Sequence, residues 1–371
     1  MGDSRLSVVM ATPRFAPEVG GVENHVLELA RRLPGYGVDV VVVTSDSGHQ
    51  LSPRDVVEGV PVVRVRAWPR GRDLRVARGL PAAIRAVSAD LVHVQSYHTL
   101  VGPVAMATAL RSKQPYVVTF HGGGHSSPIR SRIRPAQIIA LRYLLRRSDF
   151  LIATARFEIE HYGRLLGLGP EHFVYMPNGA ELPALTQPAE VDPHLIVSLG
   201  RLERYKGHHR AIEALPHVLA EDPRARLWIA GSGPYEPELR ALATRLGVAE
   251  RVEIRAVPGV ERARYAEEVA GARLAVLLSD FETHPLAAIE AAGLGVPLVV
   301  TEGSGLTELV RDGLAVGIPS SADAQAVARA IVSALRAPRR PQITELPTWD
   351  DCAGELADLY RAIVCTPACA S

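Results

Sequence analysis

The sequence predicts an α/β protein made of two Rossmann-like domains, each built on a parallel β-sheet. Short runs rich in valine and isoleucine alternate with amphipathic stretches along the chain, a pattern typical of β-α-β units. The 371 residues exceed one ordinary core and suit two domains side by side with a cleft between them. Between the two series lies Leu182–Glu190, a segment with turn-forming residues and no apolar period, which we interpret as the linker.

The first series covers residues 1–182. Its predicted strands are Leu6–Met10, Val38–Thr44, Val60–Val65, Asp90–Gln95, Tyr116–Phe120, Phe150–Ala153 and Phe173–Met176. Helical patterns at Val22–Leu33 and Pro135–Arg147 lie between these strands. We therefore expect one Rossmann-like domain over this part of the chain.

The second series covers residues 191–348. Its predicted strands are Leu195–Leu199, Leu227–Ala230, Val252–Ile254, Leu274–Leu278 and Pro297–Val300. Residues 349–371 form a separate tail, in which Leu356, Leu359, Tyr360 and Ile363 recur at helical spacing. This spacing predicts an amphipathic helix that packs on the surface of a domain.

Composition excludes several classes of protein. The formal net charge of +1 at pH 7 provides no overall field to attract nucleic acid, so we expect no nucleic-acid partner. The 3 cysteines are all close to the C-terminal end and lack metal-ligand spacing, which indicates incidental thiols in a reducing compartment. The first apolar run is too short for a signal peptide, and no stretch approaches the roughly 18 apolar residues of a membrane span. We therefore expect a cytoplasmic protein without a transmembrane segment, of undetermined oligomeric state.

Two cations follow the first strand of the second series. Ligands of open parallel sheets bind beyond the carboxyl ends of the strands, and Arg201 and Lys206 lie just past Leu199. Lys206 is one of only two lysines in a chain whose other basic residues are arginines, which favours a role for a compact point charge. Two such cations suit a diphosphate, whereas the alternative is an ordinary solvated loop.

Two glutamates follow the strand that ends at Leu278. Pro285 suits the first position of a helix, whose free backbone amides would face an anion. These amides are those of Leu286, Ala287 and Ala288. Glu290 lies further along this helix and could accept both hydrogen bonds of a ribose diol, while Glu282 precedes the helix. The alternative is that both glutamates are solvated, as glutamates on helices commonly are.

Adjacent glycines, Gly20 and Gly21, follow the first strand of the chain. They would let the backbone approach a ligand closely, although a plain tight turn before a helix explains them equally well.

Together these elements resemble the family-4 glycosyltransferases, the large retaining group with the GT-B fold. The resemblance covers nearly the whole chain in the right order. Its motifs are Pro17–Gly21, Thr119–Gly122, Pro177–Gly179, Gly200–Gly207, Ala230–Pro234, Glu282–Glu290 and Thr307–Gly313. The resemblance implies two Rossmann-like domains with parallel sheets facing across a cleft, and a final helix at Trp349–Val364 that crosses back to the first domain.

The same resemblance implies a nucleotide diphosphate-sugar as donor substrate and no cofactor. Arg201 and Lys206 would hold the pyrophosphate, Glu290 the ribose and Glu282 the donor sugar, while His121 would lie near the reacting carbon. Of these, we assign catalytic roles to His121, Arg201, Lys206 and Glu282. The other implied donor-binding residues are Gly20, Gly21, Gly231, Gly233, His284, Leu286 and Ala287, and the implied acceptor-binding residues are Gly21, His98 and His125.

Two features of the motifs shape these expectations. Thr283-His284-Pro285 stands where the family usually has Gly-Phe-Gly, and because Pro285 has no amide proton, one donor to the phosphate or sugar would be missing. The imidazole of His284 would replace that contact or cap the turn. No Asp-x-Asp motif is present to chelate a metal-bound diphosphate, so we expect no metal site and metal-independent transfer.

The predicted function is transfer of a sugar, with retention of configuration, to a hydroxyl of a small molecule, secondary metabolite, lipid or saccharide. A sugar-nucleotide epimerase of the same architecture and a non-catalytic sugar-nucleotide binding protein are the alternatives. Ester hydrolysis is disfavoured because no Gly-x-Ser-x-Gly motif is present. The arginine-rich segment Arg130–Arg147 is either a solvated helix face or a basic patch for an acidic acceptor or a peripheral membrane contact. The preference for arginine fits a GC-rich genome, in which such enzymes include those that modify antibiotics.

Overall fold

The computed structural model describes residues 5–18, 20–69, 76–122, 128–180, 185, 187–258, 261–341 and 347–365, without the side chains of residues 128–135. The chain divides into two compact units. The first unit comprises Met1–Gly122, Ile129–Gly179 and Pro347–Ser371, and the second is built on Ala180–Leu346.

The first unit contains an eight-stranded sheet. Its strands are β1 (Leu6–Thr12), β2 (Val38–Asp46), β3 (Arg54–Val57), β4 (Val60–Arg66), β5 (Leu91–Gln95), β6 (Tyr116–Thr119), β7 (Phe150–Ala153) and β8 (Phe173–Tyr175). Their order across the sheet is β3-β4-β2-β1-β5-β6-β7-β8, and all neighbours are parallel except the antiparallel pair β3 and β4.

The helices of the first unit lie between these strands, apart from the last. They are α1 (Gly21–Arg32), α2 (Leu80–Ala86), α3 (Val101–Arg111), α4 (Pro128–Leu145), α5 (Arg156–Leu166) and, after the whole second unit, α12 (Trp349–Cys365). Helices α1 and α3 both contact β1, whose residues Val8–Ala11 are fully buried. Burial on both faces explains why this strand is a continuous apolar run and not an alternating one.

The second unit contains a six-stranded parallel sheet. Its strands are β9 (Asp192–Leu199), β10 (Arg226–Ala230), β11 (Val252–Arg255), β12 (Ala272–Leu277), β13 (Leu298–Glu302) and β14 (Val316–Pro319), in the order β11-β10-β9-β12-β13-β14. The helices are α6 (His208–Glu221), α7 (Glu236–Arg245), α8 (Arg262–Ala270), α9 (Leu286–Gly293), α10 (Leu306–Arg311) and α11 (Ala324–Arg336).

Both sheets contain a point where the strand order reverses. In the first unit β1 lies between β2 and β5, and in the second β9 lies between β10 and β12. Loops at the carboxyl ends of the two strands beside such a point diverge and leave room for a ligand. The candidate residues after β1 and β5, and those after β9 and β12, therefore lie where this topology favours binding.

The predicted α/β class with two parallel sheets is confirmed, and two edge strands were not predicted. β3 contains two charged residues and pairs with β4 through a tight turn in which Glu58 and Gly59 both have positive φ. β14 contains Gly317 and ends at Pro319. An edge strand needs neither a buried run nor a strict alternation, so the hydrophobic pattern does not reveal it. Helix α4 also begins seven residues before the predicted Pro135, at Pro128.

The described part of the chain contains no helix long and apolar enough to cross a membrane.

Candidate active site

The centre of the candidate site in the second unit is an ion pair between Lys206 and Glu282. The Lys206 Nζ donates to Glu282 Oε1 at 2.6 Å, and the side chains are only 18% and 10% exposed. The same carboxylate oxygen accepts a hydrogen bond from Ser279 Oγ at 2.8 Å. The amide of Glu282 donates to Ser304 Oγ at 2.9 Å. The loops after β9, β12 and β13 therefore converge on one shielded pair of charges.

The position of Lys206 depends on a glycine that follows it. Residues Arg204–Lys206 form a single 3₁₀ turn, and Gly207 has a φ of 75°. A Cβ at Gly207 would overlap the carbonyl oxygen of Leu278 at the end of β12. Only glycine meets both conditions, so Gly207 brings the Lys206 loop against the β12 loop.

Arg201 is the solvent-facing cation of this site. Its side chain is 59% exposed and its Nη2 lies 3.8 Å from the Glu203 carboxylate. Charged groups in these two settings behave differently, because water screens Arg201 strongly and Lys206 weakly. The two cations predicted past β9 lie on one loop, where Lys206 is shielded from solvent and Arg201 is exposed.

The predicted donor-binding glycines Gly231 and Gly233 lie on the loop after β10. A Cβ at Gly231 would overlap the Gly200 carbonyl, and a Cβ at Gly233 would overlap the Leu202 carbonyl. Packing against the neighbouring loop is thus sufficient reason for both glycines, and their contact with a donor stays a prediction.

His208, which was not predicted as a site residue, contacts the backbone of the Arg201 loop. Its side chain is fully buried, with Nδ1 2.8 Å from Ser198 Oγ and Nε2 3.2 Å from the Arg201 carbonyl oxygen. The carbonyl can only accept, so Nε2 carries the proton and Nδ1 accepts from the serine hydroxyl. Burial lowers the pKa of His208 to about 4, which keeps this arrangement neutral.

The prediction of three free amides at the start of α9 is wrong. Helix α9 begins at Leu286, one residue later than predicted, so Pro285 lies before its first turn. The amide of Leu286 donates to the His284 carbonyl and that of Ala288 to the Pro285 carbonyl, both at 2.9 Å. The tight turn through His284 and Pro285 thus uses two of the three amides, and the described residues show no backbone acceptor outside α9 for the third, that of Ala287. His284 is half-buried on this turn.

Glu290 is held by an arginine that the sequence analysis also missed. Arg262, the first residue of α8, donates from Nη2 to Glu290 Oε1 at 2.5 Å. Burial raises the pKa of Glu290, and the arginine opposes that rise. The guanidinium also lies 5.4 Å from the centre of the Tyr265 ring. No spacing in the sequence connects residues 262 and 290, so the pair could not be predicted.

In the first unit, His121 follows β6 and contacts two polar side chains, those of Gln95 and His98. Its Nε2 lies 2.7 Å from Gln95 Oε1, and its carbonyl oxygen accepts from His98 Nε2 at 2.9 Å. The predicted residues His98 and His121 are therefore brought together, whereas His125 lies outside the described residues. Burial lowers the pKa of His121 well below its usual value, with smaller contributions from neighbouring histidines.

The polar network around His121 continues into the core. The His25 ring meets the His121 ring edge to face with centres 4.7 Å apart, and His25 Nδ1 lies 2.7 Å from Asn178 Oδ1. His93 lies behind Gln95, with Nδ1 2.6 Å from the Tyr360 hydroxyl on α12. Burial lowers the pKa of His25 to about 4 and that of His93 to about 3, so both are neutral.

The two glycines after β1 have different environments. Gly20 is extended, with a φ of −172°, and precedes the first residue of α1. A Cβ added at Gly21, the first residue of that helix, would meet nothing within 4 Å. Packing does not explain Gly21, which is exposed at the start of this helix.

Within the described ranges, no group of three or more His, Cys, Asp or Glu side chains is arranged to hold a metal ion.

Comparison with known proteins agrees with this arrangement. Residues 19–182 match Glycosyltransferase Family 4, and residues 186–345 match Glycosyl transferases group 1. D-inositol 3-phosphate glycosyltransferase of Nocardiopsis dassonvillei is 31% identical over 93% of this chain and 90% of that protein. Glycogen synthase of Mycobacterium tuberculosis is 29% identical over 96% of this chain and 95% of that protein.

Solved structures share the fold at lower identity. Sucrose-phosphate synthase from Thermosynechococcus elongatus has a TM-score of 0.76 and 19% identity, over 97% of this chain and 100% of that one. The Anabaena HepE protein in complex with UDP and glucose has a TM-score of 0.69 and 18% identity, over 96% and 95%. The chain therefore belongs to the family-4 glycosyltransferases and is a nucleotide-sugar glycosyltransferase with the GT-B fold.

Proposed function

We propose that this enzyme transfers a hexosyl group from a nucleoside diphosphate-sugar to a hydroxyl group, with retention of configuration and without a metal ion. The observation that carries the proposal is the shielded Lys206–Glu282 pair beside the exposed Arg201. A leaving diphosphate gains negative charge as the glycosidic bond breaks, and a shielded cation stabilises that charge more strongly than a solvated one.

Lys206 and Glu282 have complementary parts in this proposal. Glu282 holds the ammonium group in place before the donor binds, so little reorganisation is needed when the diphosphate arrives. Ser279 also donates to Glu282 Oε1, which leaves Oε2 to accept hydrogen bonds from hydroxyls of the donor sugar. Arg201 and the Ala287 amide add further donors to the phosphates.

Glu290 serves the ribose in this proposal. Arg262 engages Oε1 and keeps the carboxylate charged against its burial. Oε2 then accepts from the ribose hydroxyls, and a carboxylate accepts such bonds more strongly than a neutral amide.

The acceptor is assigned to the first unit, through Gly21, His98 and His121. Two relatives are named for glycogen and for D-inositol 3-phosphate. We propose a polyhydroxylated acceptor because both names refer to molecules with several hydroxyl groups, and a neutral imidazole such as that of His121 can donate to or accept from a hydroxyl.

Binding and product release test the proposed function. Calorimetry with UDP, GDP, ADP and TDP is expected to show at least one nucleotide binding more tightly than inorganic pyrophosphate. Free nucleotide is expected to accumulate from the matching donor when a polyol acceptor is present, and turnover is expected to survive excess EDTA. An epimerase would instead convert the donor without acceptor, and a binding protein would bind it without turnover. Loss of activity on chelation, restored by Mg²⁺ or Mn²⁺, would contradict the role given to Arg201 and Lys206.

We also propose a peripheral membrane contact through α4. Ile139 and Tyr143, one turn apart, are 59% and 62% exposed. Of the arginines on the same stretch, Arg142, Arg146 and Arg147 are exposed, and Arg142 and Arg146 both donate to the Leu166 carbonyl at the end of α5. Sedimentation with vesicles containing anionic lipid is expected to recover the wild type and to lose the Ile139→Ser/Tyr143→Ser variant. Equal recovery of both proteins would contradict this contact, and a cytoplasmic location stays a prediction.

A further inference from the structure

His121 is flanked by groups that determine which of its ring nitrogens carries a proton. Gln95 Oε1 lies 2.7 Å from Nε2, and an amide oxygen can only accept a hydrogen bond. The Nε2 atom must therefore carry the proton for this contact to be favourable. In a neutral imidazole the other nitrogen, Nδ1, then has a lone pair and no proton.

The orientation of the Gln95 amide is set by the buried histidine behind it. Gln95 Nε2 lies 3.2 Å from His93 Nε2 and 3.4 Å from His93 Nδ1, so it lies over the face of the His93 ring. An amide N–H is favoured over the electron-rich face of a ring and an amide oxygen is not, so the nitrogen faces His93 and the oxygen faces His121. His93 is in turn held by the Thr119 hydroxyl on Nε2 and the Tyr360 hydroxyl on Nδ1, both at 2.6 Å. Through this series of contacts, the core of the first unit and helix α12 fix the end of the Gln95 side chain.

A second histidine beside His121 is held in the same way. Asn178 Oδ1 lies 2.7 Å from His25 Nδ1, which must then donate. This leaves a lone pair on His25 Nε2, a buried atom with no hydrogen-bond partner among the described residues. Two contacting imidazoles thus each have one nitrogen held by a side-chain amide oxygen and one nitrogen left as an acceptor.

We propose that Gln95 is a positioning residue that holds His121 as the Nε2–H tautomer, so that His121 Nδ1 accepts a hydrogen bond from a substrate hydroxyl. The substrate part of this statement rests on the proposed function, whereas the tautomer itself does not. A hydroxyl is the group that fits, because it donates to a lone pair, whereas a phosphate oxygen would only be repelled by it. No proton is transferred in this step.

The surroundings of His121 keep the ring in this neutral form. The titratable groups that face it are His25 on α1, His93 on β5 and His98 on the following loop, and Glu158 on α5 lies beside the backbone of Gly122. The three neighbouring histidines each disfavour a proton on His121. A protonated ring would also lose the Nδ1 lone pair on which the proposed contact depends.

Nitrogen NMR of histidine-labelled full-length protein tests the tautomer without any ligand. The His121 signals, identified by their absence in His121→Asn, are expected to show a protonated Nε2 and an unprotonated Nδ1. In Gln95→Leu this preference is expected to disappear. A protonated Nδ1 in the wild type, or an unchanged pattern in Gln95→Leu, would overturn the proposal.

Kinetics of matched variants test the consequence for transfer. Gln95→Leu is expected to lower kcat/KM by roughly 10- to 100-fold, the usual effect of removing the partner that orients a functional histidine. Gln95→Glu retains an acceptor oxygen and is expected to restore transfer at alkaline pH. Its carboxylate raises the pKa of His121, so activity is expected to fall on acidification about one to three pH units above the wild type.

Gln114→Leu is the control, because Gln114 donates to the Ala89 carbonyl, which precedes the amino end of β5, whereas Gln95 lies at its carboxyl end, and wild-type turnover is expected. Wild-type kinetics in Gln95→Leu, despite a changed tautomer, would refute the role in transfer. If the wild type transfers no sugar from any donor, the NMR result still decides the tautomer, and only the proposed function fails.

Discussion

The two candidate sites differ in the charge of their polar side chains. In the second unit, Lys206 and Glu282 form a charged pair shielded from solvent, beside the exposed Arg201. In the first unit, His25 and His93 are buried and His121 is half-buried among amides and hydroxyls, and burial lowers the pKa of each. Charged groups suit an anionic diphosphate and neutral acceptors suit hydroxyls, which is the division of substrates between the units that we propose.

Acidification is expected to produce the largest difference between the two units, in their free energies of unfolding. The pKa values of His25, about 4, and His93, about 3, lie below the ordinary 6.5, so the unfolded state binds more protons between these limits. The stability that these two groups contribute is therefore fully present above pH 6.5 and is lost as pH falls through the window. At pH 4.5 these two histidines are expected to cost the first unit roughly 5 kcal/mol and His121 adds to the loss, while Glu158, whose pKa burial raises to about 8, binds its proton and offsets about 3 kcal/mol of it. His208 is expected to cost the second unit roughly 2.5 kcal/mol.

Tryptophan fluorescence during urea unfolding can follow each unit. Of the 3 tryptophans, Trp349 is buried in the first unit, Trp228 is buried in the second and Trp68 is exposed. Trp68→Phe/Trp228→Phe therefore reports on the first unit and Trp68→Phe/Trp349→Phe on the second. Equal losses of unfolding free energy between pH 7 and 4.5 would remove the contrast between neutral and charged sites.

The next largest effect is expected from Lys206→Ala, which tests the charged site. Losing one electrostatic donor to the leaving group is expected to reduce kcat by roughly 10²- to 10³-fold. Lys113→Ala removes the other lysine of the chain, which is exposed, and wild-type kcat is expected. Because Lys206→Ala leaves Glu282 without its cation, Lys206→Ala/Glu282→Gln is expected to recover thermal stability and not turnover. A kcat near the wild-type value in a folded Lys206→Ala would make this lysine an ordinary charge.

Glu290→Gln is expected to act on donor binding and not on the chemical step. Removing a charged acceptor from the ribose weakens binding by roughly 10- to 100-fold, and an interaction equal in ground and transition states changes mainly KM. Because burial raises the pKa of Glu290, nucleotide affinity of the wild type is expected to fall on acidification earlier than an ordinary glutamate would cause. Calorimetry across pH is expected to show no such fall in the variant, and parallel curves would exclude Glu290 from the ribose site.

The smallest effect is expected from Arg262→Ala. This half-exposed arginine stabilises the Glu290 carboxylate, and exposed pairs contribute up to about 1 kcal/mol. Nucleotide affinity at neutral pH is therefore expected to fall by no more than about fivefold, with its acid limb shifted upward. An affinity loss as large as that of Glu290→Gln would mean that Arg262 itself contacts the nucleotide.

The sequence predicted strands and loops better than it predicted which residues contact one another. The strand starting at Phe150 was predicted with both ends correct, because a buried parallel strand is a continuous apolar run bounded by polar residues. Lys206 and Glu282 were each predicted as site residues from their loops. Their contact was not, since 76 residues separate them and only the sheet order brings the two loops together.

The histidine network of the first unit could not be predicted, because its residues show no recognisable spacing in the sequence. His93 lies within a buried strand, and its partner Tyr360 comes from a helix 267 residues later. The free amides predicted for α9 failed for a local reason, since the turn at His284 and Pro285 takes up two of them. A proline at that point indicates a helix start, but not which carbonyls the next amides will reach.

Helix α12 has a consequence for the order in which the chain can fold during synthesis. Trp349 and Tyr360 are buried in the first unit, yet the ribosome adds them only after all of the second unit. Until then His93 lacks its Tyr360 contact and the faces that α12 covers are exposed to water. The second unit, which is synthesised in full once Leu346 is added, can therefore finish folding first, which reverses the usual N-terminal-first order of multidomain chains.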